Sequence, residues 1–204
     1  IGWYMVTSGL VDRVDVSHYR LALHLILAFF IISLILWNFF KYNNIKKSTL
    51  KLNYNLPFIF LLLIFIQIII GAFVSGMDAG KIYNSWPLMG NTYFPDDNSI
   101  KNLFTITVFN DPSLTQFIHR NLAYLIFLLY LLILFNVYRN NLLSFYKIIK
   151  ILGIVLFLQI TLGILTLLSG AQMFYSSMHQ ISSILLVSSG IYLLYLNLSL
   201  QPSN

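Results

Sequence analysis

Four imidazoles, His18, His24, His119 and His179, carry most of the chemistry open to this chain. Cysteine is absent, which excludes thiolate sites, and the only carboxylate side chains are six aspartates. His119 stands in "QFIHRNLAYLIFLLY", residues 116–130, beside Arg120 at the mouth of an otherwise apolar run. An imidazole so placed can ligate a metal or haem iron, relay protons, or pack as a hydrogen-bonded residue. A non-haem metal draws on carboxylates or a larger histidine set, and no aspartate falls inside an apolar run. Two imidazoles and little else suit haem iron, gripped from both sides by facing helices. On that reading His119 and His179 form a complete pair of iron ligands, and His24 is half of a second pair. Haem brings propionates, which a guanidinium meets bidentately. Arg120, beside His119, and Arg20, one helical turn before His24, are the candidate partners; the alternative for each is simple snorkelling at a membrane edge.

The elements that must position these residues are membrane helices. Of the 204 residues, 58% are hydrophobic and 9% are charged, where a soluble domain has about 25% charged. Residues 21–40, 52–77, 121–138 and 151–204 contain no Asp, Glu, Lys or Arg. About 20 apolar residues cross the hydrocarbon core. This predicts five spans near 20–40, 56–76, 115–138, 149–169 and 175–197, the last two parted by small and polar residues around Gly170. Loops 41–55 and 139–150 carry seven basic and no acidic side chains, while the remaining segments carry five basic and all six acidic ones. The positive-inside rule places the two basic loops in the cytoplasm, so the net charge of +6 reads as a topology signal and not as nucleic-acid binding. His24, His119 and His179 then fall at the outer ends of spans one, three and five, which run in one direction and so hold them at similar depth. His18 lies just outside the first span and reads as a surface residue. Gly71, Gly76, Gly163 and Gly170 read as ordinary small residues at helix contacts, and Trp3, Trp37 and Trp86 as interfacial aromatics.

The second half echoes the first. In "QIIIGAFVSG" (67–76) and "QITLGILTLLSG" (159–170) a glycine follows a glutamine by four residues. "GWYMVTSG" (2–9) and "GILTLLSG" (163–170) share glycine, five residues, then Ser-Gly, and each precedes a histidine-bearing segment, "YRLALHLIL" and "YSSMHQISS". Repeated units with a site in each half are common in membrane proteins. The repeat predicts that His24 pairs with a histidine on a helix upstream of residue 1. Residues 1–10 read as the last turns of a helix, and the sequence as an internal or carboxy-terminal fragment. The outer loop 77–114 is long for a connection and rich in aromatics, Gly and Pro, which suits a lid over a haem edge. A short interfacial helix is expected within "DDNSIKNLFTITVFNDPSL", and Asp111-Pro112-Ser113 reads as a helix start.

Taken together, "GWYMVTSGL", "YRLALHL", "GAFVSGMDAGKIYNSWPLMG", "QFIHR", "LQITLGILTLL" and "HQ" resemble, in order and across nearly the whole chain, the haem A synthase family of alphaproteobacteria and mitochondria. The resemblance implies eight spans in two four-helix halves, with this sequence running from the end of the third span through the eighth. It implies an oxidoreductase that converts the C8 methyl of haem O to the formyl of haem A for cytochrome oxidase assembly. The second half of such a protein holds haem b through two histidines, which match His119 and His179. The first half handles haem O, and its later histidine matches His24. The resemblance places the partner histidine and a catalytic glutamate on an upstream span, so no catalytic residue is assigned within 1–204. Some relatives carry a cysteine pair in the outer loop; with no cysteine here, thiol chemistry does not carry over.

The expected architecture is therefore an all-α, polytopic membrane helix bundle with five full spans and a pseudo-twofold repeat. Residues 1–40 end the substrate-haem half, 41–55 form a cytoplasmic loop, and 56–198 form a complete four-helix half binding haem b, with the outer loop 77–114. The expected cofactor is haem b with its iron, and the expected substrate is haem O. Expected partners are haem O synthase and an electron acceptor in the lipid bilayer, with no nucleic acid and with homo-oligomerisation left open. The expected location is the bacterial inner membrane, with the mitochondrial inner membrane as the alternative. Two rival readings remain at this level: a non-enzymatic b-type cytochrome electron-transfer subunit, and a permease whose histidines relay protons.

Overall fold

The computed structural model describes residues 2–9, 16–48, 50–52 and 55–198. Its helices are α1 (Gly2–Gly9), α2 (His18–Tyr42), α3 (Leu56–Gly76), α4 (Pro112–Arg139), α5 (Tyr146–Leu168) and α6 (Met173–Asn197). The expected outer acids Asp12 and Asp15, with Arg13, lie outside the described residues. Helices α2 to α6 hold 21 to 28 residues each. At 1.5 Å per residue they reach about 32–42 Å, enough to cross a hydrocarbon core of about 30 Å. All five are long and apolar enough to span a membrane, as their charge-free runs predict.

Local sequence sets the helix ends. Asp111 caps α4, its carboxylate accepting from the Leu114 N–H at 2.9 Å, and Pro112 occupies the first helical position, where its missing N–H costs nothing. The predicted start at Asp111–Ser113 is thus the observed one. Helix α5 begins at Tyr146, three residues before the predicted span, after a 3-10 turn over Leu143–Phe145. Lys147 and Lys150 therefore lie within its first turns, where a lysine stem can run along the helix toward water. A tight turn at Gly170 (φ 68°) and Ala171 (φ 60°) reverses the chain into α6. In place of one short interfacial helix, residues 100–104 and 106–110 form two 3-10 turns.

Helix α3 packs on α2, α4 and α6, while α5 packs on α6 and α4. Helices α3 to α6 thus close a four-helix ring in which α4 and α6 stand diagonally opposite. Helix α2 lies outside the ring, against the edge formed by α3 and α6. Its exposed Phe30, Ile31, Leu34, Ile35 and Phe39, with Ile154 and Phe157 on α5, form faces suited to hydrocarbon.

The buried apolar core fills only one end of the ring. It stops at Ile68 on α3 and at Leu156 on α5, and begins at Ile126 on α4 and at Leu186 on α6. Phe60, Ile133, Phe145, Ile149, Leu152, Val187 and Leu193 are its most enclosed members. This is the end next to the basic loops, called inner from the charge asymmetry. At the outer end, the small cluster of Ala22, Ala72 and Phe73 belongs to the contact of α2 with α3 and not to the centre of the ring.

His18 departs from expectation. It is half-buried, not a surface residue. It opens α2, and its ring stands 5.3 Å from that of Phe73 in an edge-on contact. A Cβ added at Gly76 would lie 2.8 Å from the His18 Cα, so the glycine lets α2 close onto α3 and covers the histidine.

Candidate functional site

The three span histidines sit at matched offsets from the starts of their helices. His24 is the seventh residue of α2, His119 the eighth of α4 and His179 the seventh of α6. Each imidazole lies against a glycine of the preceding helix. A Cβ at Gly2 would stand 3.2 Å from the His24 Cε1, one at Gly71 3.0 Å from the His119 Cε1, and one at Gly163 3.0 Å from the His179 Cε1. Any side chain at these positions would push on the ring. The sequence reading of Gly71 and Gly163 as ordinary helix-contact residues is corrected here: they are platforms for imidazoles. The threefold recurrence also gives the internal repeat a physical content.

A glutamine accompanies the glycine in the two complete cases. Gln67 Nε2 donates to the His119 carbonyl at 3.0 Å and stands 3.3 Å from the His119 Nε2. Gln159 Nε2 donates to the His179 carbonyl at 3.1 Å and stands 3.4 Å from both ring nitrogens. His179 Nδ1 lies 3.1 Å from the Gln159 carbonyl, a geometry that favours the Nδ1–H tautomer and turns the lone pair to Nε2. The Ser182 hydroxyl reaches both Gln159 Oε1 and the His179 carbonyl. The four-residue interval from Gln to Gly was visible in the sequence. It puts both side chains on one helix face, and that was the available signal for a shared task.

Arg120 fastens the outer loop. Its Nη1 donates to the carbonyls of Ser85 at 3.0 Å and Leu88 at 3.2 Å, and its Nη2 to that of Tyr83 at 3.0 Å. Gln116, one turn earlier, donates to the same Tyr83 carbonyl at 3.1 Å. Trp86, read from sequence as an interfacial aromatic, donates its indole N–H to the Tyr124 hydroxyl at 3.1 Å. The Tyr93 hydroxyl donates to Asn121 at 2.5 Å, and Asn84 reaches the Leu167 carbonyl of α5 at 3.0 Å. The loop is thus tied across the outer ends of α4 and α5. Within it, the Tyr83 hydroxyl donates to Asp96 at 2.5 Å; burial and this bond push the phenol up to about 12. Burial works against ionisation of Asp97, but bonds from Ser113, Asn98 and Tyr83 outweigh it and hold the carboxyl below the usual carboxylate range.

Four buried polar atoms cluster near this end of α3 and α4 with no protein partner: Gln67 Oε1, Gln116 Oε1, His119 Nδ1 and Arg120 Nε. Native structures leave few such atoms unpaired, at about 1–3 kcal/mol each. Arg120 is therefore partly committed to the loop while Nε keeps a donor in hand. His24 and the exposed Arg20 stand on α2, outside the ring that holds His119 and His179.

Fold and site define a class: a multi-pass membrane helix bundle with histidines in register at one end. Residues 1–191 match the family model described as "Cytochrome oxidase assembly protein". The chain is 48% identical over 198 residues to the haem A synthase of Pelagibacter ubique, covering 97% of this chain and 58% of that one. It is 43% identical to the haem A synthase of Wolbachia pipientis wMel, covering 95% and 55%. To that of Rickettsia africae it is 39% identical, covering 96% and 59%. The chain belongs to the cytochrome oxidase assembly protein family. It spans little more than half the length of these relatives. No solved structure matches it.

Proposed function

We propose that the chain is the larger part of a haem A synthase, in which α3 to α6 hold haem b and α2 serves the site of the haem O substrate. The observation that carries this reading is the like setting of His119 and His179. They stand on diagonal helices at like offsets from the helix starts, each seated on a glycine, in the end of the ring where the buried apolar core stops.

The residues fit the group. Among the described residues, no cluster of three or more His, Asp or Glu side chains could hold a bare metal ion, whereas two imidazoles on diagonal helices suit an iron whose other ligands come with a porphyrin. The unpaired Arg120 Nε offers a donor to a propionate. Bound there, haem b would supply one-electron transfer. The protein's own part is to fix the two imidazoles, through the glycine platforms and the Gln67 and Gln159 bonds, and to cover the outer end with the loop anchored by Arg120. His24 and Arg20 would address haem O on the other side of α2, together with residues supplied from elsewhere in the protein. Relatives named haem A synthase support a role in making haem A, and the proposed reaction is oxidation of the haem O methyl to the formyl. Their bacterial sources support a bacterial inner membrane; the proposed partners there are haem O synthase and a membrane electron acceptor.

The test is a pigment analysis. The full-length protein, produced in cells that make haem O but no haem A, is expected to yield haem A. Haem b in the purified protein with no haem A in the cells would instead assign it as an electron-transfer cytochrome.

A further inference from the structure

The two complete glutamine–glycine–histidine units are built alike but braced unequally. In both, a side-chain amide one turn before the platform glycine donates to the histidine carbonyl, at 3.0 Å from Gln67 and 3.1 Å from Gln159. On the α5–α6 side, every remaining polar atom of the unit has a partner. Gln159 Oε1 accepts from Ser182, and His179 Nδ1 meets the Gln159 carbonyl at 3.1 Å. On the α3–α4 side, Gln67 Oε1 and His119 Nδ1 are buried without a partner. The amide half of the difference is written in the sequence: three residues after His179 stands Ser182, and three residues after His119 stands Leu122, which packs toward the apolar core; the Nδ1 half comes from the Gln159 main-chain carbonyl.

We propose that Gln67 and Gln159 are positioning residues for the two imidazoles, and that Ser182 makes the pair unequal by locking His179 through Gln159 while His119 stays adjustable. A histidine whose N–H is tied to a fixed carbonyl has its tautomer and ring orientation set by that partner. Gln67 keeps its bond to the His119 carbonyl, but the His119 ring lacks the second hold that the Gln159 carbonyl gives the His179 ring. One ligand then acts as the fixed reference, and the other adapts to whatever is bound between them. The assignment of these imidazoles as haem ligands rests on the proposed function; the bracing itself does not.

The test is made first on haem-free protein, carrying nitrogen-15 only in histidine, at mildly alkaline pH where free imidazole is neutral. With four histidines in the sequence, the ring resonances can be assigned by single replacement. His179 is expected to show one Nδ1–H tautomer with sharp lines, and His119 exchange-averaged lines. Ser182→Ala and Gln159→Ala should each shift and broaden the His179 resonances by freeing its carbonyl and the amide beside its ring, while the Nδ1–H tautomer, held by the Gln159 main-chain carbonyl, persists and His119 is left alone. The double variant should add nothing to Gln159→Ala, because both changes release one brace. Gln67→Ala should alter His119 only. In haem-loaded protein, Ser182→Ala should also move the low-spin electron paramagnetic resonance signal without loss of haem, a response that a merely structural serine would not give. Equal line shapes for His119 and His179, or an unchanged His179 in both Ser182→Ala and Gln159→Ala, would overturn the proposal. A haem-free protein that shows the predicted tautomers but never binds haem would uphold the bracing and reject the haem reading instead.

Discussion

Replacing Gly163 with alanine sets two opposed effects against each other. Alanine favours a helix over glycine by about 1 kcal/mol. The added Cβ, however, would stand 3.0 Å from the His179 Cε1 and 3.4 Å from its Nδ1, so the ring must retreat by about 0.4 Å to reach ordinary contact. Its freedom to do so is small. Nδ1 is held 3.1 Å from the Gln159 carbonyl, and the His179 carbonyl accepts from both Gln159 and Ser182. Overpacking of this kind costs roughly 1–3 kcal/mol. Set against the helix gain, the net loss of stability is about 0–2 kcal/mol, but the imidazole is displaced whichever effect prevails. Gly71→Ala poses the same problem for His119, again at 3.0 Å. Gly190→Ala is the control, because it gains the same helix propensity while its nearest neighbour is the flexible tip of Leu61, at 3.2 Å. The assay is b-type haem per protein and the low-spin spectrum in detergent, with thermal unfolding alongside. Gly71→Ala and Gly163→Ala are expected to lose haem several-fold or shift its spectrum with a midpoint lowered by no more than about 8 °C, and Gly190→Ala to do neither. Full haem content with an unaltered spectrum in both histidine-side variants would refute the platform argument.

Arg120→Lys keeps the charge but cannot reproduce three bonds to the Tyr83, Ser85 and Leu88 carbonyls. It should lower the hydrogen-exchange protection of residues 83–88 by roughly 2–4 kcal/mol, and unchanged exchange there would show that the loop is held by other contacts. The loop should also loosen at both extremes of pH. Asp97, with its pKa depressed in the fold, contributes stability that is present above its unfolded pKa of about 3.9 and is lost as pH falls through the lower folded value. Tyr83, raised to about 12, contributes stability present below its unfolded pKa of about 10 and lost as pH rises from there toward the folded value. Tyr83→Phe should abolish the latest step in the phenolate absorbance titration, and a titration identical to that of the parent would remove Tyr83 from this account.

The spans, the equal depth of His24, His119 and His179, and the start of α4 at Asp111 were all legible in the sequence. Each follows from one-dimensional signals: charge-free length, the sign of loop charges, and a capping residue before proline. The partners of the histidines were not legible. Gln67 and Gly71 serve His119, a residue 52 positions from the glutamine and on another helix, and only the packing of α3 on α4 joins them. The repeat announced that Gln, Gly and His recur together, but not that the glycine is a seat for the ring. Arg120 was visible as a polar residue beside a histidine. Its grip on three loop carbonyls depends on the path of the outer loop, which no periodicity encodes. The partial burial of His18 was not legible because it is decided by Gly76 on the neighbouring helix.

The most direct test of the account is the reduced-minus-oxidised spectrum of the full-length protein with His119 or His179 replaced by alanine. Loss of the low-spin b-type signal in each of these variants, with the signal kept in His24→Ala, is the predicted result. A normal low-spin signal in both His119→Ala and His179→Ala would contradict it.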